Sequence, residues 1–283
     1  MAVKSSKTGI YNMKRQCSGE DVSVMVYTGD QSIKDQPVLW VMHGSGGVSS
    51  SEDIFLEWAR TVPVTIAIVD SYSGRGMFKH NWDGKDHRII DTHTRTEDII
   101  GAKIKFDKIK EIIFPFTGNK HYTVGFSDGG TVGIRFHTDK YKEYSTWIEK
   151  SYCLYPSLHP YESDFNTADG SKIHIFVGKE DNWTPAKHAQ RFCKEQNAAI
   201  SVLENTHHSF FKPGVHGWHN HVINISNVDL PDYDSKVLKE QLGSIAVNNN
   251  IDIEQHRGVY VEYSKSSSQF VLDAISNEII ARE

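Results

Sequence analysis

The sequence has little of what marks a stapled, membrane-bound or nucleic-acid-binding protein. Only three cysteines, Cys17, Cys153 and Cys193, occur in 283 residues, far apart and in neither a paired nor a metal-type spacing. That argues against a disulfide framework and fits a reducing compartment. No run approaches the roughly 18 apolar residues of a membrane span, and Met1 to Thr8 is short and polar, without the apolar stretch of a signal peptide. A cytoplasmic location is the expectation for a chain from which no leader has been cut. The net charge of −5 leaves no basic footprint, and no cluster of lysine and arginine is interleaved with aromatics, so nucleic acid is not an expected partner. There is no internal repeat and no low-complexity tract. The hydrophobic share, 38%, is slightly low and predicts long polar loops on an otherwise ordinary globular chain.

What is present is an alternation of apolar runs and helical spacings. Gly9 to Cys17 and Asp21 to Thr28 read as two strands joined at Ser18-Gly19, antiparallel and at a sheet edge. Val38 to Met42, Val64 to Asp70, His121 to Val124, Tyr152 to Tyr155, Ile173 to Val177 and Ile200 to Leu203 are short continuous apolar runs, as expected of strands buried on both faces. Between them, Glu52 to Val62, Arg95 to Ile113 (with Ile99, Ala102, Phe106, Ile109 and Ile113 at helical spacing) and Thr131 to His137 read as helices. Thr184-Pro185 opens another, with threonine as N-cap and proline in the first helical position. A last helix, Tyr263 to Ile280, carries Phe270, Ala274 and Ile275. Such alternation predicts an α/β class: a mostly parallel central sheet with helices on both faces and a site at the carboxyl ends of the strands. One domain over 1–283 is expected. The polar, asparagine-rich stretch at about 213–258, with a helix around Ser235 to Leu242, reads as an insertion.

The chemistry is organised around Gly125-Phe126-Ser127-Asp128-Gly129-Gly130, which follows a strand and precedes a helix. G-x-S-x-G in that context is a nucleophile elbow: the sharp turn leaves no room for side chains two before and two after the serine. A serine hydroxyl needs a base, and the base needs an acid to orient it. In chain order after the elbow, carboxylates Glu180 and Asp181 follow one strand, and His207 and His208 follow the next. A glycine-rich loop, His43-Gly44-Ser45-Gly46-Gly47, ends the strand at Met42 and offers backbone N–H groups. Ser71 to Thr94 lacks periodicity and carries Tyr72, Arg75, Phe78, His80, Trp82 and Arg88; unstructured loops of this length usually cover a site.

Five features in register, the His-Gly-Ser-Gly-Gly loop, Asp70-Ser71-Tyr72-Ser73-Gly74-Arg75-Gly76, the elbow, Gly178-Lys179-Glu180-Asp181-Asn182-Trp183-Thr184-Pro185 and His208-Ser209-Phe210, resemble the dienelactone hydrolase family of the α/β-hydrolases. Gly258 to Tyr263 before the last helix is similar to members of this group as well. The resemblance implies an α/β-hydrolase fold with Ser127 as nucleophile, Asp181 as acid and His208 as base. Asp181 holds the fourth place of the Gly-x-x-Asp match, and His208 stands two before Phe210. The family's namesakes carry cysteine where this chain has Ser127, so acyl transfer to water is implied more directly than a lactone substrate. Backbone N–H groups of Ser45 and Asp128 are the expected oxyanion hole; the Asp128 carboxylate beside an oxyanion would oppose it and is expected to point away. Arg75 reads either as an anchor for a substrate carboxylate or as a pin for its own loop, and Tyr72, Phe78 and Trp82 as pocket walls.

The implied activity is that of a serine hydrolase cleaving a small carboxylic ester or lactone through an acyl-enzyme intermediate, with no cofactor. Two alternatives use the same residues: an acyltransferase, and a binding protein with a decayed site. Histidines 207, 208, 216, 219 and 221 crowd together, but neither H-E-x-x-H nor a neighbouring cysteine accompanies them, so metal is not expected and hydrogen-bonding or solvated roles are.

Overall fold

The computed structural model of the protein describes residues 7–14, 21–29, 33–77, 90–158, 163–223 and 257–280. Strands β1 (Lys7–Lys14) and β2 (Asp21–Thr28) pair antiparallel at one edge, and β2 runs antiparallel to β4 (Thr65–Asp70). Beyond that point every pairing is parallel, through β3 (Gln36–Met42), β5 (Thr117–Phe126), β6 (Ile148–Leu154), β7 (Ile173–Gly178) and β8 (Ala199–Leu203). The eight strands lie in the order β1-β2-β4-β3-β5-β6-β7-β8.

Period-two alternation decides which face each strand residue serves. In β3, Leu39 and Val41 pack on one face with Phe55 and Trp58 of α1 (Ser50–Ala59) and Val271 and Ile275 of α6 (Lys265–Ile279). Val38, Trp40 and Met42 face the other way, against Ile99 and Phe106 of α2 (Thr92–Ile113) and Val132 of α3 (Asp128–Arg135). On that second side of the chain's far half, Ile173, Ile175 and Val177 of β7 pack with Ala189 and Phe192 of α5 (Ala186–Gln196), with the short α4 (Lys142–Ser145) lying before β6. The expected α/β architecture, helices on both faces of a mostly parallel sheet, is the one observed.

Several element ends differ from the expectation for local reasons. Helix α2 begins before Arg95 because Asp91 caps it, its Oδ1 accepting the Thr94 N–H at 2.7 Å. Helix α3 starts at Asp128, directly on the elbow, rather than at Thr131. Thr184 does not cap α5: Pro185 holds the N-cap place, because the threonine hydroxyl is turned inward to Asp181. In α6, capped by Ser264, Phe270 faces outward and is 50% exposed while Val271, Leu272 and Ile275 are buried. The two ends of the 213–258 segment form a second sheet, β9 (His216–Ile223) antiparallel to β10 (Arg257–Glu262). The helix expected around Ser235 to Leu242 lies outside the described residues. Among the described residues, no helix is long and apolar enough to cross a membrane.

Candidate active site

Ser127 sits at the carboxyl end of β5 with φ 50° and ψ −115°, a backbone conformation that costs a non-glycine residue energy. The turn survives because its neighbours are small. A Cβ on Gly125 would fall 2.1 Å from the Gly129 carbonyl oxygen, and one on Gly129 would fall 2.2 Å from that of Met42. Only hydrogen fits at either place, which is the physical content of the G-x-S-x-G spacing. The Ser127 N–H donates to the Leu154 carbonyl at 2.9 Å, tying the apex to β6. The serine is half-buried, and its hydroxyl makes no hydrogen bond among the described residues.

Asp181 and His208 come from the loops after β7 and β8. Nδ1 of His208 lies 2.8 Å from Asp181 Oδ2 and 3.1 Å from Thr184 Oγ1. Asp181 Oδ1 accepts the N–H groups of Trp183 and Thr184 at 2.8 and 2.7 Å, while Oδ2 accepts the Thr184 hydroxyl at 2.9 Å. Both side chains are buried. A carboxylate with this many donors is held in one orientation. The imidazole packs against the rings of Tyr155 and Trp183, with centroids 4.7 and 4.8 Å away. Its loop is anchored from behind, where the His208 carbonyl accepts the Glu262 N–H at 3.1 Å and the Phe210 carbonyl accepts that of Ser264 at 2.9 Å. His207 lies elsewhere, with Nδ1 3.1 Å from the Glu180 carbonyl and its ring against Tyr260. Glu180 is exposed. The structure therefore brings Asp181 and His208 together and leaves their sequence neighbours outside. No hydrogen bond joins Ser127 to His208 among the described residues; such contacts are often long before substrate arrives.

The loop after β3 lies against the elbow. A Cβ on Gly44 would stand 3.3 Å from the Phe126 carbonyl oxygen and 3.7 Å from Ser127 Cβ. Buried His43 governs this loop. Its Nε2 accepts the Ser71 N–H at 3.2 Å, so the proton is on Nδ1, which donates to the Gly44 carbonyl at 2.7 Å. Burial, with the Arg95 charge adding to it, pushes the His43 pKa down to about 3, so the ring is neutral. Carbonyl and N–H of one trans peptide point in opposite directions; with the Gly44 carbonyl turned inward to His43, the Ser45 N–H points the other way. The Asp128 N–H is in the first turn of α3, where no intrahelical partner exists. The Asp128 side chain is half-buried.

Tyr72 is buried, its ring edge-on to His43 with centroids 4.5 Å apart. Burial raises its phenol pKa, opposed by Arg95 and reinforced by Asp128 and Asp70. Arg75 is occupied by the protein itself: its two terminal nitrogens pair with both oxygens of Asp98 at 2.8 Å, and one also donates to the Ser71 carbonyl at 2.6 Å. The guanidinium thus pins the loop after β4 to α2. Trp82, Phe78, His80 and Arg88 lie outside the described residues. Tyr155 and Arg95 were not singled out by the sequence as site residues, and Thr184 only as a helix cap; Tyr155 could have been suspected only from its place directly after β6. Among the described residues, no group of three or more histidine, cysteine, aspartate or glutamate side chains is arranged to hold a metal.

A strand-turn-helix elbow at the centre of a mostly parallel sheet, with an acid and a histidine on later strand ends, is the α/β-hydrolase fold. Solved structures share it. Est1E from Butyrivibrio proteoclasticus matches at TM-score 0.52 and 14% identity, over 71% of this chain and 90% of that one. A protein described as a dienelactone hydrolase from Klebsiella pneumoniae subsp. pneumoniae MGH 78578 matches at TM-score 0.56 and 12% identity, over 86% and 98%. Brefeldin A esterase, a bacterial homologue of human hormone sensitive lipase, matches at TM-score 0.53 and 13% identity, over 72% and 70%. At these identities the likeness is one of fold. No protein-family model matches the sequence, and no curated protein matches it.

Proposed function

We propose that the protein is a serine hydrolase of the dienelactone hydrolase type, cleaving a small carboxylic ester or lactone through an acyl-enzyme. The observation that carries this reading is the buried Asp181–His208 pair, 2.8 Å apart, at the strand edge where the strained serine stands. Asp181 keeps the proton on Nδ1 and leaves Nε2 of His208 free to act as base. Ser127 Oγ attacks the ester carbonyl as its proton passes to Nε2. The tetrahedral oxyanion takes the N–H groups of Ser45 and Asp128, and collapse expels the alcohol, which leaves with the proton from His208. Water then attacks the acyl-enzyme with His208 again as base, and the acid is released with Ser127 restored. The esterase identities of the structural neighbours support the same reaction class.

The test is turnover of p-nitrophenyl acetate by the wild type and Ser127→Ala, together with labelling by a fluorophosphonate probe. Covalent labelling at Ser127 and loss of turnover in Ser127→Ala are expected. Wild-type turnover in Ser127→Ala would overturn the proposal; a wild type that neither turns over nor labels would favour a decayed binding site. Added alcohols or amines that capture the acyl group in preference to water would move the reading to an acyltransferase.

A further inference from the structure

Arg95 carries a buried charge in an unusual setting. It projects from the first turns of α2, is 2% exposed, and has no carboxylate within ion-pair distance among the described residues. One terminal nitrogen, Nη2, donates to the His43 carbonyl. The other, Nη1, and Nε are buried without a hydrogen-bond partner. The guanidinium lies 5.5 Å from the centre of the Tyr72 ring. An arginine cannot shed its proton to relieve this burial, and a buried charge without a counter-ion costs several kcal/mol. That cost is placed directly behind the loop that faces Ser127.

The carbonyl that Arg95 holds is the informative one. The His43 carbonyl oxygen also lies against the elbow, 2.6 Å from where a Cβ on Gly129 would be. His43 C=O and Gly44 N–H belong to one planar trans peptide, so fixing the first fixes the second in the opposite direction. The next peptide is fixed in the same way by His43 Nδ1 on the Gly44 carbonyl. Arg95 and His43 therefore lock two consecutive peptide planes beside the serine.

We propose that Arg95 is a positioning residue for the oxyanion hole: it fixes the His43–Gly44–Ser45 turn through the His43 carbonyl, and its buried positive charge, with no carboxylate at ion-pair distance among the described residues, favours the anionic tetrahedral intermediate over the neutral ester. It opposes the half-buried Asp128 carboxylate, which follows the nucleophile and carries the wrong sign for that intermediate. The inference rests on the serine-hydrolase reading. A preorganised charge of this kind acts on the transition state and not on substrate binding.

Arg95→Met and Arg95→Lys are compared with wild type for kcat and KM on p-nitrophenyl acetate, for the inhibition constant of a trifluoromethyl ketone, and for thermal unfolding. Arg95→Met is expected to lower kcat by about 10- to 100-fold, below the loss from removing a direct oxyanion donor. KM should move by less than about threefold, ketone affinity should weaken in step with kcat, and the melting temperature should hold or rise because a buried charge is gone. Arg95→Lys keeps charge without the planar fork and should fall between; it also serves if Arg95→Met does not fold. Loss confined to KM, a kcat loss with unchanged ketone affinity, or no loss at all would overturn the inference. Fluorophosphonate labelling of Ser127 in each variant keeps that failure distinct from failure of the serine-hydrolase reading, in which Ser127 would not label even in wild type.

Discussion

His208 Nδ1 and Asp181 Oδ2 lie 2.8 Å apart, and solvent reaches neither side chain to any useful extent. On the proposed serine-hydrolase reading, the carboxylate's part is to choose the tautomer. Asparagine at 181 offers an N–H as readily as an oxygen and lets the ring turn its proton to Nε2, where it is useless as a base. Asp181→Asn is expected to fold normally and to lower kcat by about 10³- to 10⁴-fold. Glu180→Gln, one residue away and exposed, is expected to match wild type in the same ester assay.

Thr184 extends that pair. Its hydroxyl is 2.9 Å from Asp181 Oδ2 and 3.2 Å from the Tyr155 carbonyl. Thr184→Val keeps the shape and removes the donor, leaving a buried carboxylate short of one hydrogen bond. A fall of about tenfold in kcat/KM is expected, with Thr184→Ser restoring most of it. An unchanged rate in Thr184→Val would mean that the two backbone N–H bonds to Oδ1 suffice.

Arg75 and Asp98 form a bidentate pair with side-chain exposures of 9% and 0%. Removing one partner takes the bidentate counter-charge from a buried group, a loss of about 3 to 5 kcal/mol. Arg75→Met and Asp98→Asn should each show it in urea denaturation, and the double variant Arg75→Met/Asp98→Leu should recover most of it. Because this arginine is engaged by the protein, the ratio of KM for a carboxylate-bearing ester to KM for a neutral one should not move in Asp98→Asn. A selective rise for the charged ester in Arg75→Met, without loss of stability, would give Arg75 a substrate-binding role.

What could be read from the sequence follows from the range of the forces involved. The buried strands were legible because a run such as Val38 to Met42 is apolar at every position, and the elbow because two steric exclusions, at Gly125 and Gly129, demand glycine. The alternation of such strands with helical spacings predicts the α/β class, and the resemblance carried by five motifs in register implies the α/β-hydrolase fold. Element ends were less legible because they hang on single side chains: Asp91 starts α2 early, and Thr184 abandons its cap for Asp181. Arg75 and Arg95 show the limit most clearly. Both are arginines following the same strand, and nothing local says that the first meets Asp98 while the second meets a carbonyl. That difference is made by the packing of α2 against the loops after β3 and β4.

Buried histidines give the last prediction, on stability against pH. His43 is held down to about 3, and His121, His137 and His174 to about 4, in each case mainly by burial. They are neutral by need: His121 Nδ1 accepts the Trp40 indole N–H at 3.1 Å, and His43 Nε2 accepts the Ser71 N–H. Between about pH 6.5 and pH 4 the unfolded chain binds protons at these four places and the folded one does not, so stability falls as pH falls through that window. Glu52 works in the opposite sense. Burial raises it to about 7, so the folded state keeps a proton that the unfolded state gives up above about pH 4.5, and stability falls as pH rises from there to about 7. Four groups outweigh one, so urea denaturation should show stability climbing from pH 4 to a maximum near pH 6.5. His121→Gln, which keeps an acceptor for Trp40, should flatten the acid limb by up to one proton's worth, about 1.4 kcal/mol per pH unit. Glu52→Gln should steepen that limb slightly and raise stability at pH 8. An acid limb unchanged in His121→Gln would show that this ring protonates without unfolding.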